Sequence, residues 1–293
     1  MAVDERNFRS TYYEKVGFKS VEEKKSLEIL LKDKTLDRIK LKQFCLRYSV
    51  PVIYRNLVWK VLLDIIPVQT ECHQFVMEQR QQECRDVIQA LQAMRVVDIN
   101  TSKPQLLYAM WLLQTGCLHH NISLQKENGF ILIAHSLQQF SDDDTDLYWL
   151  AKCFYAYVQR FTPDVPKLVE ATLNLLEKED SALFKHLTNT GILSKLPLNR
   201  WFDSCLAGLL NENALGRIWD KLCGGSCKIL VFVIVVLLTN QRHKLLKCTT
   251  LENAVQCVSN LPEETAEIIA NKAIEMWQQH GSPLTVHDKP KPS

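Results

Sequence analysis

The chain has 293 residues, 46% hydrophobic and 23% charged, with a formal net charge of +2. That composition describes a folded globular chain and excludes disorder throughout. Its 35 basic and 33 acidic residues create no field able to hold nucleic acid non-specifically or to recruit the chain to an anionic membrane by charge alone. Nine glycines and ten prolines are about half of the roughly 12% of average usage, so tight turns are few and long helices are favoured over many short strands.

The first 20 residues mix charges with Phe8, Tyr12 and Tyr13 and carry no secretory signal. Leu27, Leu30 and Leu31 continue one helical stripe, and Leu36, Ile39, Phe44 and Leu46 lie in a second short helix. Val50-Pro51 marks a break, since proline pushes the residue before it out of the helical region. An apolar helix follows over Ile53–Ile66, stopped by Pro67. The longest uninterrupted pattern starts at Thr70 as N-cap and runs to about Val97, with Val76, Cys84, Val87, Ile88, Leu91 and Met94 turned inward.

Asp98–Pro104 reads as a polar loop, followed by apolar helices at 106–113 and 130–137. Asp142, Asp143 and Asp144 suit a helix N-terminus better than a metal site, because no glycine-bearing calcium-loop spacing accompanies them. Helices are predicted at 146–161, 164–177, 181–189, 199–211, 213–222, 226–240, 250–258 and 262–279. The apolar run Ile229–Leu238 is ten residues long, half of what a spanning helix needs at about 20, and is expected to be a buried core helix. The expected organisation is an N-terminal extension (1–20), a helical domain (21–280) and a flexible tail (281–293). The ten cysteines include no CxxC pair and read as buried thiols of a reducing, cytoplasmic compartment.

No GxGxxG, GxxxxGK[ST], HExxH or GxSxG pattern is present. Cys223–Lys228 reads as a helix-to-helix turn rather than a phosphate loop. His119 and His120 are adjacent and point about 100° apart on a helix, which suits one metal ion poorly. The six tryptophans fit core positions better than a ligand stack. Neither a cofactor nor a metal is therefore expected.

A set of short patterns in fixed order does carry information. Val50–Leu63, with Pro51, Arg55 and Trp59, resembles the "IPxxxRxxVWxxLL" segment of the TBC domain, the all-helical module of Rab GTPase-activating proteins. His186-Leu187, Gly191-Ile192 and Trp201-Phe202 resemble that family's next segment, and Arg217-Ile218-Trp219-Asp220 its "RIWD" segment. The resemblance spans about residues 36 to 275 and implies an all-α fold, a single TBC-type domain of a dozen or more helices. Arg55 and Asp220 are candidates for internal ion pairs at helix ends, and Trp59, Trp201 and Trp219 for large buried anchors.

Active members of that family insert an arginine from one loop and a glutamine from another beside the bound nucleotide of the GTPase. An arginine of this kind contributes about 10³ to 10⁵ in rate. Here Asp98 and Pro104 align with the first loop and place Thr101 where the arginine belongs; in the second loop the nearest match keeps a glutamine at Gln125 but loses the tyrosine and Gly-Met around it. Threonine has neither charge nor reach, so the expected catalytic set is empty, with Thr101 and Gln125 as its degenerate positions.

The resemblance implies a binding module, of the branch that serves as third subunit of the tuberous sclerosis complex. It would bind the hamartin coiled coil and meet tuberin through the complex, whose Rheb-directed GTPase activation restrains mTOR signalling at lysosomes. Phe75, Gln79, Gln82, Asp86 and Gln89 form the face opposite the apolar stripe of the long helix. A polar ridge of about 20 Å suits a groove between partner helices; simple solvation is the alternative. A second reading keeps an active Rab GTPase-activating protein with atypical finger residues, and a third a GTPase binder without turnover.

Overall fold

The computed structural model describes residues 21–119, 123, 124, 128–259 and 261–288. The expected N-terminal extension, His120, Gln125 and residues 289–293 lie outside the described residues. Among the described residues there is no β-strand, only two isolated bridges, Thr35 with Gln69 and Ala207 with Leu210. The all-α expectation is met. Contacts sort the described residues into two compact units: those within 21–124, 137–154 and 223–225, and those within 128–136, 155–222 and 226–288.

In the first unit α1 (Val21–Lys32) packs on α2 (Arg38–Arg47), and α2 on α3 (Val52–Leu62). Asp37 starts α2 by accepting the amides of Ile39 and Lys40, both at 3.0 Å, and the Lys40 amide heads the causes that hold its carboxyl below the ordinary value. Pro51 occupies the N-cap position of α3, as the break at Val50-Pro51 requires. Helix α3 stops four residues before the expected Ile66. Asp64 turns left-handed at φ 61°, and the Ile65 amide reaches back to the Lys60 carbonyl at 2.8 Å, closing the helix end.

Arg55 is buried, donates to the Val50 carbonyl at 2.7 Å and lies 5.7 Å from the rings of both Trp59 and Phe140. Trp59 is wholly buried. The expected helix from Thr70 begins later: Thr70–Cys72 is a 3₁₀ turn whose Thr70 hydroxyl donates to the Lys34 carbonyl, and α4 runs His73–Ala93. It packs on α5 (Lys103–Gln114), where Gln114 donates to Glu83 at 2.6 Å.

Of the inward stripe, Cys84 and Leu91 are buried and Val76, Val87 and Ile88 half-buried; Met94 is exposed, because the helix has already ended beside it. Helix α6 (Gly129–Leu137) lies in the second unit except for Leu137, and α7 (Asp144–Phe161) contributes residues 144–154 to the first. There Lys60 donates to both carboxylate oxygens of Asp146 at 2.9 and 3.0 Å, and Arg80 of α4 lies 3.9 Å from the ring of Trp149.

The second unit is organised around α12 (Ile229–Asn240), whose residues Ile229–Leu238 are all buried. It packs against α8 (Val165–Glu179) and α15 (Glu263–Gln279). A helix apolar on every side must be enclosed by others. Helix α8 turns Val165, Leu168, Thr172 and Leu176 inward at helical spacing, and the buried Thr172 hydroxyl is satisfied by the Leu168 carbonyl at 2.8 Å. Helix α9 (Ser181–Asn189) is capped by Asp180, which also accepts from Arg242 at 2.7 Å.

The expected helix 199–211 is shorter: α10 is Leu198–Asp203, and Cys205 and Leu206 follow at φ 48° and 67°, a left-handed pair that no helix continues through. That turn aims the Cys205 carbonyl at Trp219 Nε1, 3.0 Å away on α11 (Glu212–Cys223). Arg217 of α11 donates to Glu267 and Asn271 of α15. Trp201 and Trp219 are buried, and so is Asp220.

Three smaller corrections follow from burial and bonding. Cys117 is exposed, and Cys72, Cys153 and Cys257 are half-buried, so not every cysteine belongs to the core; Trp111 is half-buried and stacks on Tyr108. Residues 281–288, expected within the free tail, are tied down. Pro283 accepts from Ser226 and Trp277, Leu284 from the Lys228 amide, and His287 reaches Asp164 at 3.0 Å.

Candidate functional site

The loop expected to carry the first finger joins α4 to α5 in the first unit. Arg95 leaves α4 at φ 56°, and the Val96 amide returns to the Leu91 carbonyl at 3.0 Å. Asp98 then organises the loop: its side chain accepts the Asn100 amide at 2.9 Å and the Thr101 hydroxyl at 3.1 Å, while its own amide donates to Thr101 Oγ1 at 2.9 Å. Thr101 thus spends its hydroxyl, as donor and as acceptor, inside its own loop. Ser102 and Gln105 form a reciprocal capping box that starts α5, with Pro104 in its first turn. Ile99 stands at the tip, 98% exposed.

Thr101 lines a cavity of about 560 Å³ between α4, the start of α5 and the segment Asp142–Thr145. Ile88, Leu106, Leu107 and Met110 give it an apolar floor; Arg85, Lys103 and Asp142–Asp144 surround it with charge. Asp143 serves as the helix start that the acidic triplet suggests, accepting the Asp146 amide at 2.8 Å. Lys103 pairs with Asp144 at 2.6 Å, both exposed, so this pair contributes under about 1 kcal/mol and leaves the lysine easily recruited. Arg85 has no ion-pair or hydrogen-bond partner among the described residues. Cys84 also reaches the cavity, but burial pushes its thiol up to about 11, which keeps it protonated and unreactive at neutral pH.

Sequence reasoning missed Arg85. It stands 16 positions before Thr101 with no local pattern to mark it, and only the packing of α4 on α5 puts the two beside one cavity. Gln125 lies outside the described residues.

The expected partner face is formed as a surface. Phe75, Gln79, Gln82, Asp86 and Gln89 are all exposed along α4, within one stripe of its circumference. Phe75 is 65% exposed, and Gln82 donates to Asp86 at 2.9 Å along the ridge. The family-motif residues do different work: Arg55, Trp59, Trp201, Trp219 and Asp220 are buried inside their own units.

The family described as the Rab-GTPase-TBC domain matches residues 128–246, a segment that holds the Trp201-Phe202 and Arg217–Asp220 motifs. Over nearly the whole chain the sequence is similar to TBC1 domain family member 7 of Bos taurus, 42% identical over 285 residues, covering 96% of this chain and 97% of the relative. The chain belongs to the TBC domain family. The Homo sapiens TBC1 domain family member 7 is 41% identical with the same coverage, and that of Xenopus tropicalis 43% identical over 94% of this chain and 96% of the relative. A solved structure, the Ypt/Rab-GAP domain of Gyp1p, superposes with a TM-score of 0.63 over 88% of this chain and 98% of that one; at 18% identity the likeness is one of fold. A TBC domain makes a Rab-type GTPase a natural partner class. Among the described residues no helix is long and apolar enough to cross a membrane.

Proposed function

We propose that this TBC-domain protein works by holding other proteins together and accelerates no GTP hydrolysis itself. The observation that carries the reading is Thr101. At the position where a finger arginine would stand is an uncharged side chain whose hydroxyl is already bonded to Asp98. Without a cation there, charge developing on the transferred phosphoryl group goes unpaired.

The partner we assign is the hamartin coiled coil, which makes the chain a scaffold subunit of the tuberous sclerosis complex. Tuberin then supplies the Rheb-directed GTPase activation that restrains mTOR signalling, and the partners bring the chain from the cytoplasm to lysosomal or vesicle membranes. The exposed α4 ridge supports this: an aromatic at one end, three glutamines and an aspartate along it, and a length of about 20 Å, match a groove between two partner helices. The test is binding of a purified hamartin coiled-coil fragment by the full chain carrying Gln82→Lys and Asp86→Lys, with Phe75→Ala as a second variant. A loss of at least about tenfold in affinity, with the helical circular-dichroism signal unchanged, is expected; unchanged binding by both variants removes this face from the interface.

One observation favours a second reading, an active Rab GTPase-activating protein with atypical fingers. Arg85 is a guanidinium without an ion-pair or hydrogen-bond partner among the described residues, lining the same cavity as Thr101.

A further inference from the structure

Away from the finger loop, the second unit brings two thiols together. Cys248 lies in the turn between α13 (Arg242–Leu245) and α14 (Leu251–Ser259), and Cys257 in the last turns of α14. Their Sγ atoms are 3.8 Å apart. Cys248 is buried and donates to the Lys244 carbonyl at 3.3 Å, and its own carbonyl accepts from His186 Nε2 at 3.0 Å, so the turn is held from α9. Cys257 is half-buried. Cys248 is thus the more sheltered residue of the pair and Cys257 the more exposed.

We propose that Cys248 and Cys257 form a reversible oxidation site that closes to an intramolecular disulfide when the chain meets a hydroperoxide. The Cys257 thiolate attacks the terminal oxygen of the peroxide; the O–O bond breaks, the sulfur becomes a sulfenic acid, and the leaving oxygen departs as water or alcohol with the thiol's proton. Cys248 then attacks the sulfenic sulfur; the S–S bond forms, the S–O bond breaks, and the hydroxide leaves as water with the second thiol proton. Two thiols are oxidised by two electrons and one peroxide is reduced. The sulfurs must close from 3.8 Å to about 2.05 Å. Cys248 sits in a turn rather than a helix, so the movement costs the Lys244 contact and little regular structure. Burial and the neighbouring Cys257 thiol raise the pKa of Cys248, consistent with its acting second, on a sulfur already activated. The closed bond would pin α14 to the turn after α13.

The test uses the purified full chain and one equivalent of hydrogen peroxide, followed by alkylation of remaining thiols and cleavage after Glu252, which separates the two cysteines unless a disulfide joins them. The expected result is a loss of two alkylatable thiols from the ten in the chain, with the Cys248 and Cys257 peptides recovered as one species lighter by two hydrogens and separated again by dithiothreitol. In Cys257→Ser, Cys248 should stay alkylatable, and in Cys248→Ser, Cys257 should stop as a sulfenic acid trapped by dimedone. The proposal is overturned if exposed Cys117 oxidises while Cys248 and Cys257 both remain alkylatable, or if Cys257 oxidises in the wild-type chain with no linked peptide.

Discussion

Separating Lys60 from Asp146 should reveal how the family-motif helix α3 is held in the first unit. The side chains are 14% and 15% exposed and meet at 2.9 Å. At an effective dielectric constant of about 20 their attraction is roughly 6 kcal/mol, most of it offset by taking two charges out of water. Asp146→Asn alone leaves a sheltered ammonium without its bonded carboxylate, and Lys60→Met alone leaves a sheltered carboxylate without its bonded ammonium. Each should cost about 2–3 kcal/mol, below the roughly 3–5 of a fully buried pair because some exposure remains, and above the roughly 0–1 of a surface pair. The double variant should cost little more than either single one, giving a coupling near 2 kcal/mol. Urea unfolding followed by tryptophan fluorescence, with the m value compared across the four proteins, reads the cycle. Single losses that add, with coupling below about 0.5 kcal/mol, would show a pair as solvated as any on the surface and refute the reasoning.

Gly129 has no room for a side chain: a Cβ there would collide with Asp203 Oδ2 and lie 2.7 Å from the Asp203 carbonyl. Gly129→Ala should cost about 1–3 kcal/mol in chemical denaturation, and an unchanged midpoint would contradict the close approach. Asp203 has its carboxyl pushed up, chiefly by burial and partly countered by hydrogen bonds from Tyr155 and the Gly129 amide. The folded chain therefore holds this proton more tightly than the unfolded chain, so its contribution to stability falls as pH rises from the ordinary 3.8 through the folded value. Asp203→Asn should flatten that part of the stability profile measured by thermal melts across pH, and a profile parallel to the wild type would count against it.

Much of the fold was legible because its signals are local. Pro51 marks the start of α3, and the unbroken apolar run from Ile229 to Leu238 can only be enclosed. Errors came where backbone conformation overrides hydrophobic pattern. Leu206, Leu209 and Leu210 extend the apolar series after Trp201, yet the left-handed Cys205 and Leu206 end the helix at Asp203. Likewise Ile65 and Ile66 continue a pattern that Asp64 has already stopped. At the candidate site the spacing of Asp98 and Pro104 singles out Thr101 in the sequence, and in the structure that aspartate accepts from the threonine hydroxyl. Arg85 was not, because its position beside the same cavity depends on two helices packing rather than on any sequence spacing. The short tail that binds Asp164, Ser226 and Lys228 was invisible for the same reason: its partners lie far away in sequence.

Single-turnover GTP hydrolysis by a panel of Rab proteins, with the purified chain in excess, bears most directly on the proposal that the chain accelerates no GTP hydrolysis itself. Rates should match the intrinsic rates for every Rab, and Arg85→Ala should change nothing. Acceleration beyond about 10²-fold that Arg85→Ala abolishes would place a working arginine in the Thr101 cavity and make this protein a GTPase activator in its own right.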